Sequence, residues 1–190
     1  VLNNIDGYHV TSNNIVDVMH DVAEGVANFG MSEILNYYIS TDLFSLDVLN
    51  SSVKYFDFGL KSNRPPPIKI KNVQKRDLGL SASEMINFVL YFELIIGIYV
   101  PENCDVWNYY KILREMVNIL LLKSINTAII EYFEVLVTEH HQYYQKLFNT
   151  HLKPKHHNLC HYSRLMKKMG PLINLWGMRF EGKNLECNYQ

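Results

Sequence analysis

The sequence predicts a mainly α-helical protein, and three observations support that prediction. Hydrophobic residues make up 48% and charged residues 19% of the 190 residues, which is enough apolar surface for a substantial core. From Asp17 onward, apolar residues recur mostly at helical spacing. Ser81 with Glu84 three residues later is a capping box, which marks the start of a long helix.

The first predicted helix begins at Asp17. Its apolar residues would face a core: Val18, Val22, Val26 and Phe29. Polar residues at spacings i, i+3, i+4 and i+7 would share the other face: Asp17, His20, Asp21 and Glu24. Two interpretations of this polar face stay open. It is either a solvated surface or a site for a hard cation or acid–base chemistry, because clustered carboxylates and histidine can hold a divalent metal.

Residues 61–78 are predicted to form a loop, since three consecutive prolines exclude helix there. This stretch is also the most basic in the chain, with Lys61, Arg64, Lys69, Lys71, Lys75 and Arg76. A solvated connector is one interpretation. The other is a contact with a phosphate backbone, which would make binding salt-dependent.

The remaining helices are predicted from caps and breaks. A break near Ser40 should be followed by a helix capped by Ser40, Thr41 or Asp42. The stretch from Ser81 to Val100 is apolar nearly all round and of about transmembrane length. It contains Glu84, Asn87 and Glu93, so we expect a buried central helix rather than a membrane span. Later helices are predicted over residues 105–123, 124–148, 154–170 and 171–181.

Histidines occur in two groups. Glu139-His140-His141 lies near the end of a predicted helix, where a histidine cation would be favoured by the helix dipole, although surface or core packing is the default. The second group suggests zinc at first sight: His156, His157, Cys160 and His161. Structural zinc sites normally combine ligand pairs from two separated knuckles, and no Cys-x-x-Cys pair occurs in the sequence. We therefore expect a packing or supporting role.

Composition restricts the class of protein. The formal charge of −1 indicates no overall affinity for nucleic acid, so DNA binding would depend on local patches. Three widely spaced cysteines favour a reducing, intracellular compartment. The first twenty residues do not contain the apolar region of a signal peptide, and no glycine-rich phosphate loop indicates a nucleotide cofactor.

Three blocks of sequence suggest a family: DVMHDVAEGV from Asp17, KPKHHNLCHY from Lys153, and GPLINLWGMRFEGKN from Gly170. Together they resemble transposase-derived proteins related to the CACTA (En/Spm-like) DNA transposons, over most of the chain from Asp17 to Lys183. The resemblance implies an RNase H-like α/β core with a helical insertion, whose first strands we expect to lie outside this chain. The implied segments are the distal part of the core (1–40), the helical insertion with its basic Pro-rich loop (41–152), and C-terminal helices that return to the core (153–190).

The resemblance also implies a chemistry. Such transposases hold two divalent cations, Mg²⁺ or Mn²⁺, on an Asp-Asp-Glu triad, and cleave and transfer phosphodiesters. Asp17 corresponds to the second acid, His20 to the histidine of an Asp-x-x-His signature, and Glu181 to the final acid, while the first acid would lie upstream. Arg179 and Lys183 would contact phosphate.

The expected partner is DNA at transposon ends, in the nucleus. Homo-oligomers are allowed, and neither a membrane nor a small-molecule cofactor is expected. The alternative is a non-enzymatic helical interaction module derived from such an element. It would bind a nucleic acid or protein partner through its basic loop.

Overall fold

The computed structural model describes residues 17–59 and 63–177, and every regular element within these ranges is helical. The mainly α prediction is therefore confirmed. A π-helix (Met19–Ala27) runs directly into α1, and two short 3₁₀ segments follow α4 and α8 at Gly97–Tyr99 and Leu172–Leu175. The α-helices are α1 (Asn28–Ser40), α2 (Leu46–Tyr55), α3 (Ile70–Lys75), α4 (Ala82–Ile96), α5 (Asp105–Leu120), α6 (Thr127–Phe148), α7 (Pro154–Leu159) and α8 (Tyr162–Met169).

One hydrophobic core connects these helices, from Val18 in the first helical turn to Trp176 near the end of the described chain. The predicted apolar face of the first helix is correct, since Val18, Val22 and Val26 are buried. α4 lies centrally and packs against the π-helix, α2 and α5. Burial of this kind is the main source of folding free energy in a protein of this size.

The apolar stretch Ala82–Tyr99 is long and apolar enough to cross a membrane by length and composition, with a mean hydropathy of 1.4 over 18 residues. Its α-helical part has eight buried residues, and four of them are fully inaccessible: Phe88, Val89, Phe92 and Ile96. Ser81 and Glu84 form the predicted capping box. The position of α4 in the core agrees with the expectation of a buried central helix.

The prediction of an uninterrupted loop over residues 61–78 is wrong, because α3 lies within it. Asn50 on α2 explains how the helix is placed: its amide accepts a hydrogen bond from the Ile68 N–H at 2.8 Å and donates to the Ile68 carbonyl at 2.9 Å. Ile68 and Val73 are buried and anchor the segment just after the prolines. Tertiary contacts thus stabilise a six-residue helix that local composition does not favour.

Two predicted helix starts are displaced. α2 is capped by Ser45, whose hydroxyl accepts a hydrogen bond from the Val48 N–H at 3.2 Å, and not by Ser40, Thr41 or Asp42. Asp42 instead adopts a left-handed conformation (φ 55°) in the turn after α1. α6 is capped by Asn126 rather than Ser124. Several polar residues in a row allow several caps, and the turn geometry selects one.

The C-terminal helices also differ from the prediction. Pro154 opens a helix as predicted, but residues 154–170 form two helices, α7 and α8, with Gly170 (φ 77°) ending the second. The predicted helix over 171–181 is wrong in its described part. Only the 3₁₀ segment Leu172–Leu175 forms, and Trp176 is extended (φ −74°, ψ 125°) with its side chain buried. Burying the Trp176 indole outweighs the local tendency to continue the helix.

Candidate functional site

The polar residues of the first sequence block lie at the start of the π-helix. The Asp17 carboxylate accepts a hydrogen bond from the Met19 N–H through Oδ1 at 2.9 Å, and its Oδ2 lies 2.7 Å from His20 Nδ1. His20 Nε2 is 3.9 Å from Glu24 Oε2. The three side chains are partly exposed, at 33% for Asp17, 53% for His20 and 41% for Glu24. Together, Asp17, His20 and Glu24 form a row of acid, imidazole and acid that faces solvent, which we call the polar row.

Asp21 does not belong to this row, contrary to the predicted shared face. Its carboxylate is buried and accepts hydrogen bonds from the Asn158 amide at 2.8 Å and the Tyr162 hydroxyl at 3.3 Å. A π-helix closes i→i+5 hydrogen bonds, so its side chains follow a different angular period from the α-helical spacing used for the prediction. Burial, followed by the Asp21 charge, raises the pKa of the Tyr162 phenol and keeps it a donor.

The first and second sequence blocks are therefore in direct contact. Besides the Asp21 interactions, the Lys155 ammonium donates to the His20 carbonyl at 2.7 Å and to the Glu24 carbonyl at 3.4 Å. Asn158 and Tyr162, four residues apart, are on one side of α7–α8 and both reach Asp21. The signal in the sequence was their i, i+4 spacing within KPKHHNLCHY, which indicates a shared face but not its partner.

The third block approaches the carboxylate of Asp17. A Cβ atom built on Gly177 would lie 2.7 Å from Asp17 Oδ2 and 3.5 Å from Asp17 Cγ. Only glycine therefore fits this approach without displacing Asp17 or the chain. Arg179, Glu181 and Lys183, predicted from this block, lie outside the described residues.

The predicted phosphate-contacting residues of the basic segment have different surroundings. Lys69, Lys71 and Lys75 are exposed on or beside α3. Arg76 is engaged in the fold: its Nε lies 2.6 Å from Oε1 of Glu33, whose side chain is 4% exposed. Nothing in the sequence distinguishes Glu33, because a glutamate inside a helix gives no indication of being buried.

A cleft of about 500 Å³ joins the basic segment to the polar row. It is lined by Glu24 of the polar row, by Lys75 and Arg76, and by Lys153, whose ammonium lies 3.8 Å from the centre of the Phe29 ring. Cationic side chains from two distant parts of the sequence therefore border the same space. Glu24 and Asp77 also line it and Arg76 is paired with Glu33, so Lys75 and Lys153 are the cations that it offers to an anion.

Two of the histidines belong to the core. His140 and His156 are fully buried with ring centres 5.8 Å apart. His140 Nε2 lies 2.8 Å from the Tyr109 hydroxyl, and His156 Nδ1 accepts a hydrogen bond from the Lys153 N–H at 3.0 Å. Burial lowers the pKa of His156 to about 4 and that of His140 well below its usual value, so both are neutral near pH 7. The interpretation of His140 as a helix-end cation is wrong, and the packing role is correct.

The zinc alternative is not supported by the structure. His156 points into the core, whereas His157 and His161 lie nearer the surface with their Nε2 atoms 3.2 Å apart. Among the residues that the structure describes, no group of three or more histidine, cysteine, aspartate or glutamate side chains is placed to hold a metal ion. His156 therefore packs in the core, whereas His157 and His161 form a separate pair nearer the surface.

The Asp17 carboxylate is the kind of ligand that a hard divalent cation binds. The Asp17 carboxylate is partly exposed, and Mg²⁺ and Mn²⁺ prefer such oxygen ligands, completing their shells with water and phosphate. The second acid of the predicted pair is outside the described ranges, four residues beyond Gly177. Comparisons of the chain with protein-family models, with curated proteins and with solved structures found no match.

Proposed function

We propose that this chain is part of the catalytic domain of a DDE-type DNA transposase, or of a protein derived from one. In this proposal Asp17 and Glu181 hold Mg²⁺ or Mn²⁺ for phosphodiester cleavage and strand transfer, and His20 orients Asp17. The full-length protein would act on DNA at transposon ends in the nucleus. The helices described here would be the helical part of an RNase H-like domain, and its sheet would come from residues beyond the described ranges.

The observation that carries the proposal is the approach of Gly177 to the Asp17 carboxylate. Four residues separate Gly177 from Glu181, and an extended chain covers no more than about 14 Å over that distance. This length is an upper limit on the distance from Gly177 to Glu181, and the proposal takes Glu181 to lie near Asp17, 164 positions earlier in the sequence. The second block contacts Asp21 and the third block approaches Asp17, so three blocks that are far apart in sequence meet at the start of one helix.

The chain's own residues would do the following. His20, at 2.7 Å from Asp17 Oδ2, fixes the orientation of the carboxylate, and the Met19 N–H holds its other oxygen. Lys75 and Lys153 in the adjoining cleft attract the DNA backbone. Asp21 ties the π-helix to α7 and α8 and so holds the first two blocks together. When bound, a divalent cation would supply Lewis-acid activation of water and of the scissile phosphate.

The direct test measures nicking of supercoiled plasmid DNA by the full chain, and by the full-length protein that contains it, with Mn²⁺ present. We expect Asp17→Asn and Glu181→Gln each to reduce nicking by at least 100-fold, and His20→Gln to reduce it by a smaller factor. Asp47→Asn is the matched control, because Asp47 is also an exposed aspartate at the start of a helix. Unchanged nicking in both acid variants would contradict the assigned roles.

A second measurement does not depend on activity. Titration of Mn²⁺ followed by its electron paramagnetic resonance signal should show binding that Asp17→Asn weakens and Asp47→Asn retains. An experimental structure of the full-length protein with the Asp17 and Glu181 carboxylates more than about 10 Å apart would count against the pair, because two bridged metals lie only about 4 Å apart.

The alternative is a non-enzymatic helical interaction module derived from a transposable element. The buried core and the exposed lysines of α3 are compatible with it. The two hypotheses differ in what Asp17 does. For a module, Asp17→Asn leaves partner binding unchanged and no metal-dependent nicking is found in the wild-type full-length protein.

A further inference from the structure

The charges of this protein are strongly segregated along the sequence. Between Glu139 and Glu181 there are seven lysines and arginines and no aspartate or glutamate, although the whole chain carries 18 basic and 19 acidic residues. The acidic excess is therefore elsewhere. The second sequence block, and the third as far as residue 180, fall inside this acid-free stretch.

Two of these basic side chains already have partners within the fold. Lys153 lies over the Phe29 ring, and Lys155 donates to the carbonyls of His20 and Glu24. Three others are together on α8 and are exposed: Arg164, Lys167 and Lys168. Within the described ranges, none of these three forms an ion pair.

α8 presents these cations on one side. Arg164, Lys167 and Lys168 stand at i, i+3 and i+4, so they are neighbours on the helix surface, with Cβ atoms about 5–6 Å apart. The other side of the helix is buried, with Tyr162, Leu165 and Met166 in the core. The helix is therefore held rigidly by its apolar side while its three cations, close enough to repel one another, face solvent.

The ends of this helix are tied to the Asp17 site. Its first residue, Tyr162, donates to Asp21, and the chain that follows it returns to Asp17 at Gly177. Eight residues of α-helix are only about 12 Å long. The basic face is therefore on a helix that is joined at its first residue to the π-helix carrying Asp17, His20 and Glu24.

We infer that Arg164, Lys167 and Lys168 bind the phosphate backbone of double-stranded DNA and position it next to Asp17. The choice of DNA rests on the proposed function, and the basic face extends it by a contact surface separate from the α3 lysines. A duplex presents one phosphate about every 3.4 Å of axis on each strand, so three neighbouring cations can engage successive phosphates. These contacts are made to the backbone and carry no base specificity.

The test is fluorescence anisotropy of a labelled 30-base-pair duplex titrated with the full chain at several salt concentrations between 50 and 200 mM. The variant is Arg164→Gln with Lys167→Gln and Lys168→Gln. The control is Lys54→Gln with Lys111→Gln and Lys123→Gln, which removes the same charge from exposed lysines elsewhere. We expect the α8 variant to bind at least tenfold more weakly, and the slope of log K against log salt to fall by about 0.9 for each lost contact.

The control variant should keep both the affinity and most of the salt slope. Equal losses in the two variants would mean that net charge alone matters, and unchanged binding by the α8 variant would mean that this face does not contact DNA. Either result overturns the inference. So does a result in which the α8 variant loses binding to vesicles containing anionic lipid while its DNA binding is unchanged. Circular dichroism and thermal unfolding of both variants identify any loss caused by misfolding, and single substitutions of Lys167 and Lys168 then replace the triple variant.

Failure of this inference differs from failure of the proposed function. Asp17→Asn leaves the α8 face intact, so it should bind the duplex like the wild type even though it does not nick DNA. DNA binding that requires α8, found together with nicking that does not require Asp17, would sustain the basic face and contradict the catalytic proposal. The opposite pair of results would sustain the catalytic proposal alone.

Discussion

Gly177 and the Asp17 carboxylate are in contact, with room for no side chain between them: a Cβ on Gly177 would lie 2.7 Å from Asp17 Oδ2. The contact brings the last sequence block back to the first. It also predicts the effect of adding one methyl group. Because Gly177 does not have a positive φ, the cost of alanine arises from this close approach and not from backbone strain.

Gly177→Ala should therefore displace Asp17 or the C-terminal chain. We expect the nicking activity attributed to Asp17 to fall by about 10- to 100-fold, since misplacing a reacting group by about 1 Å can cost 100-fold. Gly97→Ala is the control, because the nearest atom to its Cβ would be an ordinary 3.6 Å away on Trp107. Full activity in Gly177→Ala would show that the position of Asp17 is unimportant for the reaction.

Asp21 should matter for stability. Asp21→Ala leaves the Asn158 amide and the Tyr162 hydroxyl without their acceptor in a buried setting, which costs about 2 kcal/mol. Urea unfolding should show this loss as a lower midpoint with an unchanged slope. Glu24→Ala removes an exposed acid from the same helix and should change the free energy of unfolding by no more than about 0.5 kcal/mol. Equal effects would contradict the inward orientation of Asp21.

Arg76 and Lys75 are adjacent but should behave differently. Arg76→Gln leaves Glu33 buried without its cation. We expect a loss of about 2 kcal/mol, between the values for exposed and buried pairs, because half of the Arg76 side chain is accessible. Lys75→Gln should leave the unfolding midpoint unchanged and weaken DNA binding. If Arg76→Gln weakened DNA binding without affecting stability, Arg76 would be a phosphate contact as the sequence first indicated.

Because its buried histidines are neutral, we expect the protein's free energy of unfolding to decrease in acid. His156 has a pKa of about 4 in the folded protein against about 6.5 when unfolded, so between these values the unfolded chain binds more protons. This contribution to the free energy of unfolding is fully present above pH 6.5 and is lost as the pH falls towards 4. It amounts to about 3 kcal/mol for this group.

The measurement is the urea midpoint from pH 7.5 to 4. His156→Gln, whose amide oxygen can still accept from the Lys153 N–H, should show a shallower decline. His151→Gln changes an exposed histidine and should follow the wild type. Parallel curves for the wild type and His156→Gln would mean that this imidazole does not titrate on unfolding.

Much of the fold could be predicted from the sequence because its signals are local. The capping box of α4, Pro154 at the first position of α7 and Gly170 after α8 all act within a few residues. The buried valines of the first helix follow from their spacing. The predictions that were wrong depended on distant partners: α3 is held by Asn50, and Trp176 is extended because its indole enters the core.

The candidate site likewise combines features that the sequence predicts locally with contacts that depend on distant residues. The amino-acid sequence alone specified a helical protein and identified Asp17, His20, Lys75 and the three blocks as the residues of interest. Periodicity shows which residues share a face, and it is a property of a few neighbouring residues. Only the tertiary structure showed that Asp21 turns inward to Asn158 and Tyr162, that Arg76 pairs with buried Glu33, and that Gly177 returns to Asp17. These contacts depend on which helix packs against which, and on a π-helical turn that changes the direction of its side chains.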